Sequence, residues 1–235
     1  MFELIEALKL SVNLIFSLDQ NLLEIVFLSL RVTLTALAFS CVLGFLIGSL
    51  IASNQFYGRR LCIVIINALM SFPPVVVGLV VYLYFSNSGP LGWLNLLYTP
   101  AAMIIAQTII ITPIIIALSR QILEDLNKEY LELFSSFCMT KFEVIKALIW
   151  DARYSLLTVI LAGFGRGISE VGAVIIVGGN INHYTRVMTT SIALETSMGN
   201  LPHALALGSI LLLTALIVNA LVIALNLTAK RYAFA

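Results

Sequence analysis

Charged residues are scarce in this chain. Only 11% of its 235 residues are Asp, Glu, Lys or Arg, and 60% are hydrophobic. In a soluble domain, charged residues make up roughly a quarter of the total. This composition excludes an ordinary soluble domain and predicts a multi-pass membrane protein embedded in a lipid bilayer. The formal net charge is only +1, so we expect no nucleic-acid partner.

Residue patterns that hold metals, cofactors or nucleotides are also missing. The three cysteines, Cys41, Cys62 and Cys138, are scattered without a C-x-x-C spacing, and only two histidines could help to bind a metal. No GxxxxGK(S/T) loop and no Ser/His/Asp constellation is present. We therefore expect no cofactor, no metal and no enzymatic activity, so that any energy from ATP must come from another chain.

The first residues lack the basic start and the small-residue cleavage site of a secretory signal. We expect them to remain in the mature protein. Their apolar runs are too short for the roughly 20 residues that a membrane-spanning helix needs. The sequence predicts an N-terminal interfacial helix at residues 1–21, followed by one transmembrane domain at residues 22–235 without internal repeats.

Five apolar stretches are long enough to cross a bilayer, which predicts an all-α membrane protein with about five transmembrane helices. They cover residues 32–52, 61–85, 100–118, 155–177 and 205–227. The first stretch contains Gly44 and Gly48, a small-xxx-small pair that permits close helix approach. The second contains Pro73 and Pro74, which remove backbone hydrogen bonds and must bend or break the helix.

The fourth stretch contains two ionisable residues, Arg166 and Glu170. Such residues are costly inside a membrane and suggest a functional site. Their i, i+4 spacing allows them to pair on one helical face, either beside a transport pathway or merely neutralising each other against neighbouring helices. The candidate pathway or gate residues are these two together with Pro73, Pro74, Gly165, Ser169 and Gly172.

Residues 120–153 form a polar interruption that holds 11 of the 25 charged residues. Within it, apolar residues recur at i, i+3, i+4 and i+7 and line one face of a helix. These residues are Tyr130, Leu133, Phe134 and Phe137. The pattern predicts either a surface that docks a soluble partner or an interfacial helix that only lies on lipid.

A second helix is predicted to follow directly. Thr140 and Glu143 fit the Thr-x-x-Glu capping box, in which both side chains satisfy free amides at a helix start. The interruption therefore reads as two amphipathic helices joined near Cys138 and Met139. We expect this pair to be the part of the protein that a soluble partner recognises.

Basic residues are distributed unevenly between the two sides of the predicted spans. One side carries Arg59, Arg60, Arg120, Lys128, Lys141, Lys146, Arg153, Lys230 and Arg231. On the other side we count Lys9 and Arg186. The positive-inside rule then places residues 120–153 and the C-terminus in the cytoplasm, and the N-terminus outside.

A group of hydrogen-bond donors follows the fourth stretch. Its members are Asn180, Thr185, Arg186, Thr189 and Thr190. They could line a route for an anion or could simply solvate the external surface, and the sequence supports both interpretations.

Several segments together resemble one family of membrane proteins. They are SLRVTLTA at 29–36, FPPVVVGLVVY at 72–82, SGPLG at 88–92, TPAAMIIAQT at 99–108, GFGRGISEVGAV at 163–174, VGGNI at 177–181, TRVMTT at 185–190 and LETS at 194–197. Together with the cytoplasmic helix pair, they resemble the permeases of binding-protein-dependent ABC transporters, specifically the tungstate permeases and the related molybdate permeases.

The resemblance implies a homodimer in the bacterial cytoplasmic (inner) membrane whose cytoplasmic coupling helices contact two ATPase subunits. It also implies an extracytoplasmic protein that captures tungstate, a tetrahedral oxyanion, and delivers it to the permease. The implied function is inward transport of tungstate, with molybdate or another oxyanion as the alternative. A secondary transporter or channel, or a membrane scaffold whose helix pair only binds a partner, are rival interpretations.

The family's coupling segment usually reads Glu-Ala-Ala-x-x-x-Gly, and this chain departs from it. The corresponding residues run from Glu132 to Cys138, so that a cysteine stands in place of the glycine. The residues that the resemblance assigns to ATPase coupling are Glu132, Leu133, Phe134, Phe137, Cys138, Thr140 and Lys141.

Overall fold

A computed structural model describes residues 20–233 and the isolated positions 5, 9, 10, 12 and 13, with side chains described up to residue 224. This part of the chain contains α-helices, one 3-10 turn at Gly92–Leu94 and no strand. The helices are α1 (Gln20–Ser53), α2 (Arg59–Met70), α3 (Pro74–Phe85), α4 (Pro100–Glu129), α5 (Leu131–Ser136), α6 (Lys141–Asp151), α7 (Arg153–Ile168), α8 (Gly172–Gly178), α9 (Met188–Ser197) and α10 (Leu201–Ala233).

Within the described residues, three helices are long and apolar enough to cross a membrane, namely α1, α4 and α10. Five crossings result when the bent pairs α2–α3 and α7–α8 are each counted as one span. The predicted all-α membrane fold is therefore confirmed. The predicted interfacial helix at residues 1–21 lies outside the described residues, apart from the isolated positions and the first two residues of α1.

Helix α1 begins at Gln20 rather than near residue 32, so the predicted start of the first span was too late. Its 34 residues give a length of about 51 Å at 1.5 Å per residue. That is well beyond the roughly 30 Å hydrocarbon core of a bilayer. The uninterrupted apolar stretch therefore marked only part of the helix, because Glu24 and Arg31 interrupt the apolar residues of its first turns.

Helices α1 and α4 pack closely along their length. A side chain on Gly44 would collide with Ile115, and one on Gly48 would collide with Ser119. The Ser119 hydroxyl lies 3.4 Å from the carbonyl oxygen of Gly44. The two glycines therefore act as the predicted small-residue contact, and they hold the backbones close enough for a hydroxyl to reach across.

Two spans are broken rather than continuous. Helices α2 and α3 meet at an angle of 97°, with Pro73 in an extended conformation and Pro74 as the first residue of α3, the position where proline is best tolerated. Helices α7 and α8 meet at 57° around residues 169–171. The predicted break at the two prolines is present, whereas the fourth stretch is divided where a single helix had been predicted.

The described core consists of two apolar clusters. One joins α1, α4, α6 and α7 through residues such as Ile115, Leu148 and Phe164. The other joins α3, α4 and α8 through residues such as Met103 and Val174. The outward faces of α1, α3 and α10 remain apolar and exposed, as expected of surfaces that contact lipid or a second subunit.

The polar interruption is organised differently from the prediction at its beginning. Helix α4 continues to Glu129, so residues 120–129 extend a membrane-spanning helix rather than start a separate amphipathic one. The helix pair itself consists of α5 and α6 and lies beyond the end of this extension. At 1.5 Å per residue, the 30 residues of α4 span about 45 Å, which carries the pair clear of the hydrocarbon core.

Candidate functional site

The turn between α5 and α6 is built by backbone hydrogen bonds that close the end of α5. The amide of Cys138 donates to the carbonyl oxygen of Ser135, and the amide of Met139 donates to that of Phe134, both at 3.1 Å. This pair of bonds is the Schellman motif, which requires a left-handed residue between the helix end and the following chain. Cys138 adopts that conformation with φ of 49°, so the turn forms without the family's glycine.

The start of α6 has the predicted capping box. The carboxylate of Glu143 accepts a hydrogen bond from the amide of Thr140 at 2.7 Å, and the Thr140 hydroxyl receives the amide of Glu143 at 3.5 Å. Hydrogen bonds from the hydroxyl and then the amide of Thr140 lower the pKa of Glu143. The cap therefore uses the ionised carboxylate, which also suits the positive end of a helix dipole.

The apolar residues of the pair face in two directions rather than one. Phe134 is only 8% exposed and packs edge-to-face against Tyr130, with ring centroids 5.7 Å apart. In contrast, Leu133 is 52%, Phe137 71% and Phe142 77% exposed. This corrects the predicted common face, because Phe134 anchors the pair to the body of the protein while the other three project outward.

A largely buried ionic cluster lies at the end of α4 to which the helix pair is attached. Glu124 lies near the end of α4 and forms an ion pair with Arg59 at 2.9 Å and with Arg120 at 2.5 Å. Arg59 also donates from Nε to the carbonyl oxygen of Ile51 at 2.9 Å. The three charged side chains are less than a fifth exposed, so α1, α2 and α4 are tied together where the pair is attached.

The second group of candidate residues surrounds the break between α7 and α8. Arg166 Nη1 lies 3.0 Å from Glu170 Oε2, while Glu170 Oε1 accepts the amide of Ala173 at 3.1 Å. The predicted pairing therefore occurs, but across a break rather than along one helical face. Its charges match the dipoles, because Arg166 is in the last turn of α7 and Glu170 precedes α8.

Backbone carbonyls at this break accept hydrogen bonds from side chains on other helices. Gln107 of α4 donates to the carbonyl oxygen of Gly167 at 3.1 Å, and Thr189 of α9 donates to that of Glu170 at 2.8 Å. The carbonyl of Gly167 also accepts the amide of Glu170 at 3.1 Å. Because unpaired carbonyls are costly inside a membrane, these side-chain bonds help to stabilise the break. Gln107 was not among the predicted site residues, although a polar residue within the third apolar stretch was a usable signal.

The two broken spans meet each other. Gly78 of α3 packs directly against Ala173 of α8, and Gly172 contacts Val75, the residue after Pro74. The structure therefore brings the proline break close to Glu170. Gly165 has no neighbour within 4 Å of a built side-chain position, and Ser169 is also exposed, so both face outward from the described chain.

The hydrogen-bond donors that follow the fourth stretch mostly bond to backbone groups of the protein itself. Thr185 is fully buried and donates to the carbonyl oxygen of Gly178 at 2.6 Å, while Thr190 donates to that of Val187 at 3.0 Å. These threonines stabilise the turn between α8 and α9 rather than solvate a surface. Among the described residues, no group of three or more His, Cys, Asp or Glu side chains could hold a metal ion.

An all-helical membrane protein with two broken spans and a helix pair beyond the end of a long span has the features of a transport permease. The chain belongs to the family described as binding-protein-dependent transport system inner membrane component, which matches residues 44–231. It is therefore a transport subunit of the inner membrane, and the resemblance inferred from the sequence motifs is confirmed.

Individual relatives narrow the comparison. The chain is 39% identical to the tungstate uptake system permease protein TupB of Peptoclostridium acidaminophilum, over 94% of this chain and 97% of that protein. It is 41% identical to a probable anion ABC transporter permease protein of Haloferax volcanii, over 85% and 88% of the two chains. It is 34% identical to the TupB of Campylobacter jejuni, over 91% and 90%.

Proposed function

We propose that this chain is the permease subunit of an ATP-driven importer that carries tungstate across the bacterial cytoplasmic membrane. The similarity to two tungstate uptake permeases over more than nine tenths of the chain supports this substrate. ATP hydrolysis is assigned to a separate ATPase chain, and capture of the anion to an extracytoplasmic binding protein. Molybdate is the alternative substrate, because it is a tetrahedral dianion like tungstate.

The observation that carries the proposal is the outward-facing apolar surface of the helix pair. We call it the coupling surface and define it by Leu133, Phe137 and Phe142, with Glu132, Cys138, Thr140 and Lys141 exposed around them. An amphipathic helix that docks in a groove on a partner presents such large apolar anchors. We assign the groove to the ATPase.

Docking accounts for this surface better than an interfacial position on lipid does. Helix α5 has only six residues, too few to form a wide apolar face. The last two turns of α4, which precede it, carry Glu124, Asp125, Lys128 and Glu129, so the chain has already left the hydrocarbon core. Phe137 and Phe142 therefore project into water unless a protein covers them.

A second copy of the chain is proposed to cover α7. Small residues form a stripe along the exposed side of this helix. They are Ser155, Thr158, Ala162, Gly165 and Ser169. The open space beside Gly165 shows that no described residue requires a glycine there. Close approach by another helix is the usual reason for small residues in a membrane, which supports a homodimer with the pathway near this stripe.

The proposal is tested at Phe137, which is exposed and does not support the core. Replacing Phe137 with Asp should abolish co-purification with the ATPase and stop ATP-dependent uptake, while the permease still accumulates in the membrane. Trp93→Asp is the matched control. Trp93 is as exposed as Phe137 but lies in the Gly92–Leu94 turn after α3, away from the helix pair. If the Phe137 variant still co-purified with the ATPase, the coupling surface would not be the place where the ATPase binds. Phe134→Asp is unsuitable, since it would disrupt the fold.

The substrate is tested in proteoliposomes that contain the permease, its ATPase and the binding protein. We expect uptake of tungstate to require ATP and to be half-saturated at a lower concentration than uptake of molybdate. Uptake that persists without ATP would instead support a secondary transporter or channel. A clear preference for molybdate would change the substrate but leave the transport class intact.

A further inference from the structure

A cavity of about 480 Å³ with mixed polar and apolar walls lies at the end of the molecule opposite the helix pair. Its walls are the first turns of α1, the beginning of α4 at Pro100, and the loop at 182–186. Two arginines from different elements line it, Arg31 of α1 and Arg186 of the loop. Arg31 was omitted when the basic residues on this side of the membrane were counted from the sequence.

Arg186 is held by its neighbours but retains donor capacity. Its Nη1 donates to Asn182 Oδ1 at 3.0 Å, and its Nη2 lies 3.4 Å from the carbonyl oxygen of Asn180. Its Nε is buried and has no acceptor within the described chain. A buried donor without an acceptor is costly, so the guanidinium group of Arg186 is not fully satisfied by the described chain.

The charge in the cavity is positive. Within the described residues no carboxylate pairs with Arg31 or Arg186, and the nearest acidic group, Glu24, contacts His183 instead, with Nδ1 and Oε2 2.8 Å apart. The lining contains two arginines and one carboxylate, which gives it a formal charge of +1 with His183 counted as neutral. This contact turns the carboxylate of Glu24 towards the imidazole, so neither guanidinium group has an ion-pair partner among the described residues.

We infer that this cavity binds a tetrahedral oxyanion dianion at the mouth of the permease, with Arg31 and Arg186 as its ligands. The inference rests on the proposed function, since it assigns a receiving site to the same substrate class. Planar guanidinium groups match the paired oxygens of an oxyanion. A cationic cleft with low-dielectric walls also concentrates anions from solution.

The position of this site suits transient binding of the anion at the start of the transport pathway. It lies at the end where the anion enters in the proposed orientation, and it is separate from the Arg166–Glu170 pair, whose charges compensate each other. An anion on a transport pathway must bind strongly enough to enter and weakly enough to leave. The cavity therefore receives the anion that the binding protein releases and holds it until the broken spans open.

The test measures anion binding to the intact permease–ATPase complex in lipid nanodiscs, without the binding protein. Tungstate is titrated by calorimetry or equilibrium dialysis, with molybdate and sulfate as further probes. We expect the wild-type complex to bind tungstate, and Arg31→Gln and Arg186→Gln each to bind it at least tenfold more weakly. Arg60→Gln is the matched control, because Arg60 is an exposed arginine at the opposite end and should leave binding unchanged.

Two further measurements keep the interpretation specific. Arg186→Lys retains the charge without the planar fork and should give intermediate affinity. Arg31 is exposed, so Arg31→Gln is expected to fold even if Arg186→Gln does not. Affinity of the complex for the ligand-free binding protein is measured in parallel for every variant and should not change.

Three results would overturn the inference. The wild-type complex could fail to bind any of the three anions. Arg31→Gln and Arg186→Gln could bind tungstate as the wild type does. Alternatively, both variants could bind tungstate normally but lose affinity for the binding protein, which would make the cavity a docking surface for acidic residues. ATP-driven uptake by the wild type is assayed separately, so the proposed function is judged independently.

Discussion

Cys138 shows how one residue can satisfy a turn that ordinarily uses glycine. Its left-handed conformation is unfavourable for residues with a side chain by roughly 1–2 kcal/mol. The Schellman hydrogen bonds and the adjoining contact of Met139 with the core hold it there. The turn between α5 and α6 therefore keeps its geometry at a local energetic cost.

Replacing Cys138 with Gly should remove that cost. We expect the free energy of unfolding to rise by about 0.5–1 kcal/mol, after allowing for the greater freedom of glycine in the unfolded chain. Thermal unfolding of the purified permease in detergent would measure it. Ser136→Gly is the control, because Ser136 lies in the last turn of α5 and the change should destabilise. A loss of stability at position 138 as well would show that the thiol contributes more than the strain costs.

Glu170 connects two helices through one carboxylate. One oxygen pairs with Arg166 and the other caps α8, and the side chain is only 3% exposed. Removing one partner of a buried pair costs about 3–5 kcal/mol, whereas removing both can be nearly neutral. Arg166 is 29% exposed, so we expect values toward the lower end of that range.

A double-mutant cycle separates pairing from anion binding. Arg166→Gln and Glu170→Gln should each lower stability and uptake, and the double variant should recover a substantial part of both. Glutamine at position 170 can still accept the amide of Ala173, so the helix cap is preserved. Uptake is measured at matched membrane expression. If Arg166→Gln alone selectively raised the tungstate concentration needed for uptake, Arg166 would instead contact the anion.

At the scale of elements, the two broken spans are joined to each other through their short helices. The short helices α3 and α8 pack on each other through Gly78 and Ala173, while α2 and α7 continue in other directions. Side chains from α4 and α9 satisfy the carbonyls at the second break. A change in the angle of either break would therefore move α3 and α8 together.

The proline break is expected to border the transport pathway. The structure narrows the informative positions to Val75 and Val76, which are exposed, because Val77 and Gly78 are buried. In a chain whose three native cysteines are replaced by serine, Val75→Cys and Val76→Cys should react with a water-soluble thiol reagent. Val42→Cys, on the exposed apolar face of α1, is the lipid-facing control. Equal protection at all three positions, with and without ATP, would indicate a purely structural bend.

At the scale of the whole molecule, charge separates the two ends. The helix pair, the end of α4 and the first turns of α2 and α7 carry seven of the 13 basic residues, whereas the opposite end contributes Arg31 and Arg186 to a single cavity. By the positive-inside rule, this asymmetry supports the proposal that the helix pair lies in the cytoplasm. The same asymmetry leaves positive charge at the outer end where an anion is proposed to arrive.

This orientation is tested by labelling one cysteine at each end in spheroplasts. Trp93→Cys should react with a membrane-impermeant thiol reagent at once, while Phe137→Cys should react only after the membrane is permeabilised. Both positions are strongly exposed, so a difference in labelling reports the side of the membrane. The reverse pattern would invert the proposed topology and place the coupling surface outside the cell.

The sequence by itself determined the features that depend on neighbouring residues. Apolar length predicted the membrane-spanning stretches, Pro73 and Pro74 predicted a break, and Thr140 with Glu143 predicted the start of α6. Gly44 and Gly48 marked a close helix contact, and the i, i+4 spacing of Arg166 and Glu170 predicted their pairing. Each of these depends on local geometry or on the solvent around one segment.

Only the tertiary structure decided which surfaces meet. It buried Phe134 in the core against Tyr130 and left Phe137 exposed, although both fit one helical face. It divided the fourth span and brought Gln107 and Thr189 from other helices to the carbonyls at the break. It also brought Arg31 and Arg186 to one cavity from positions far apart in the chain. Such contacts depend on packing between distant segments, which no local pattern records.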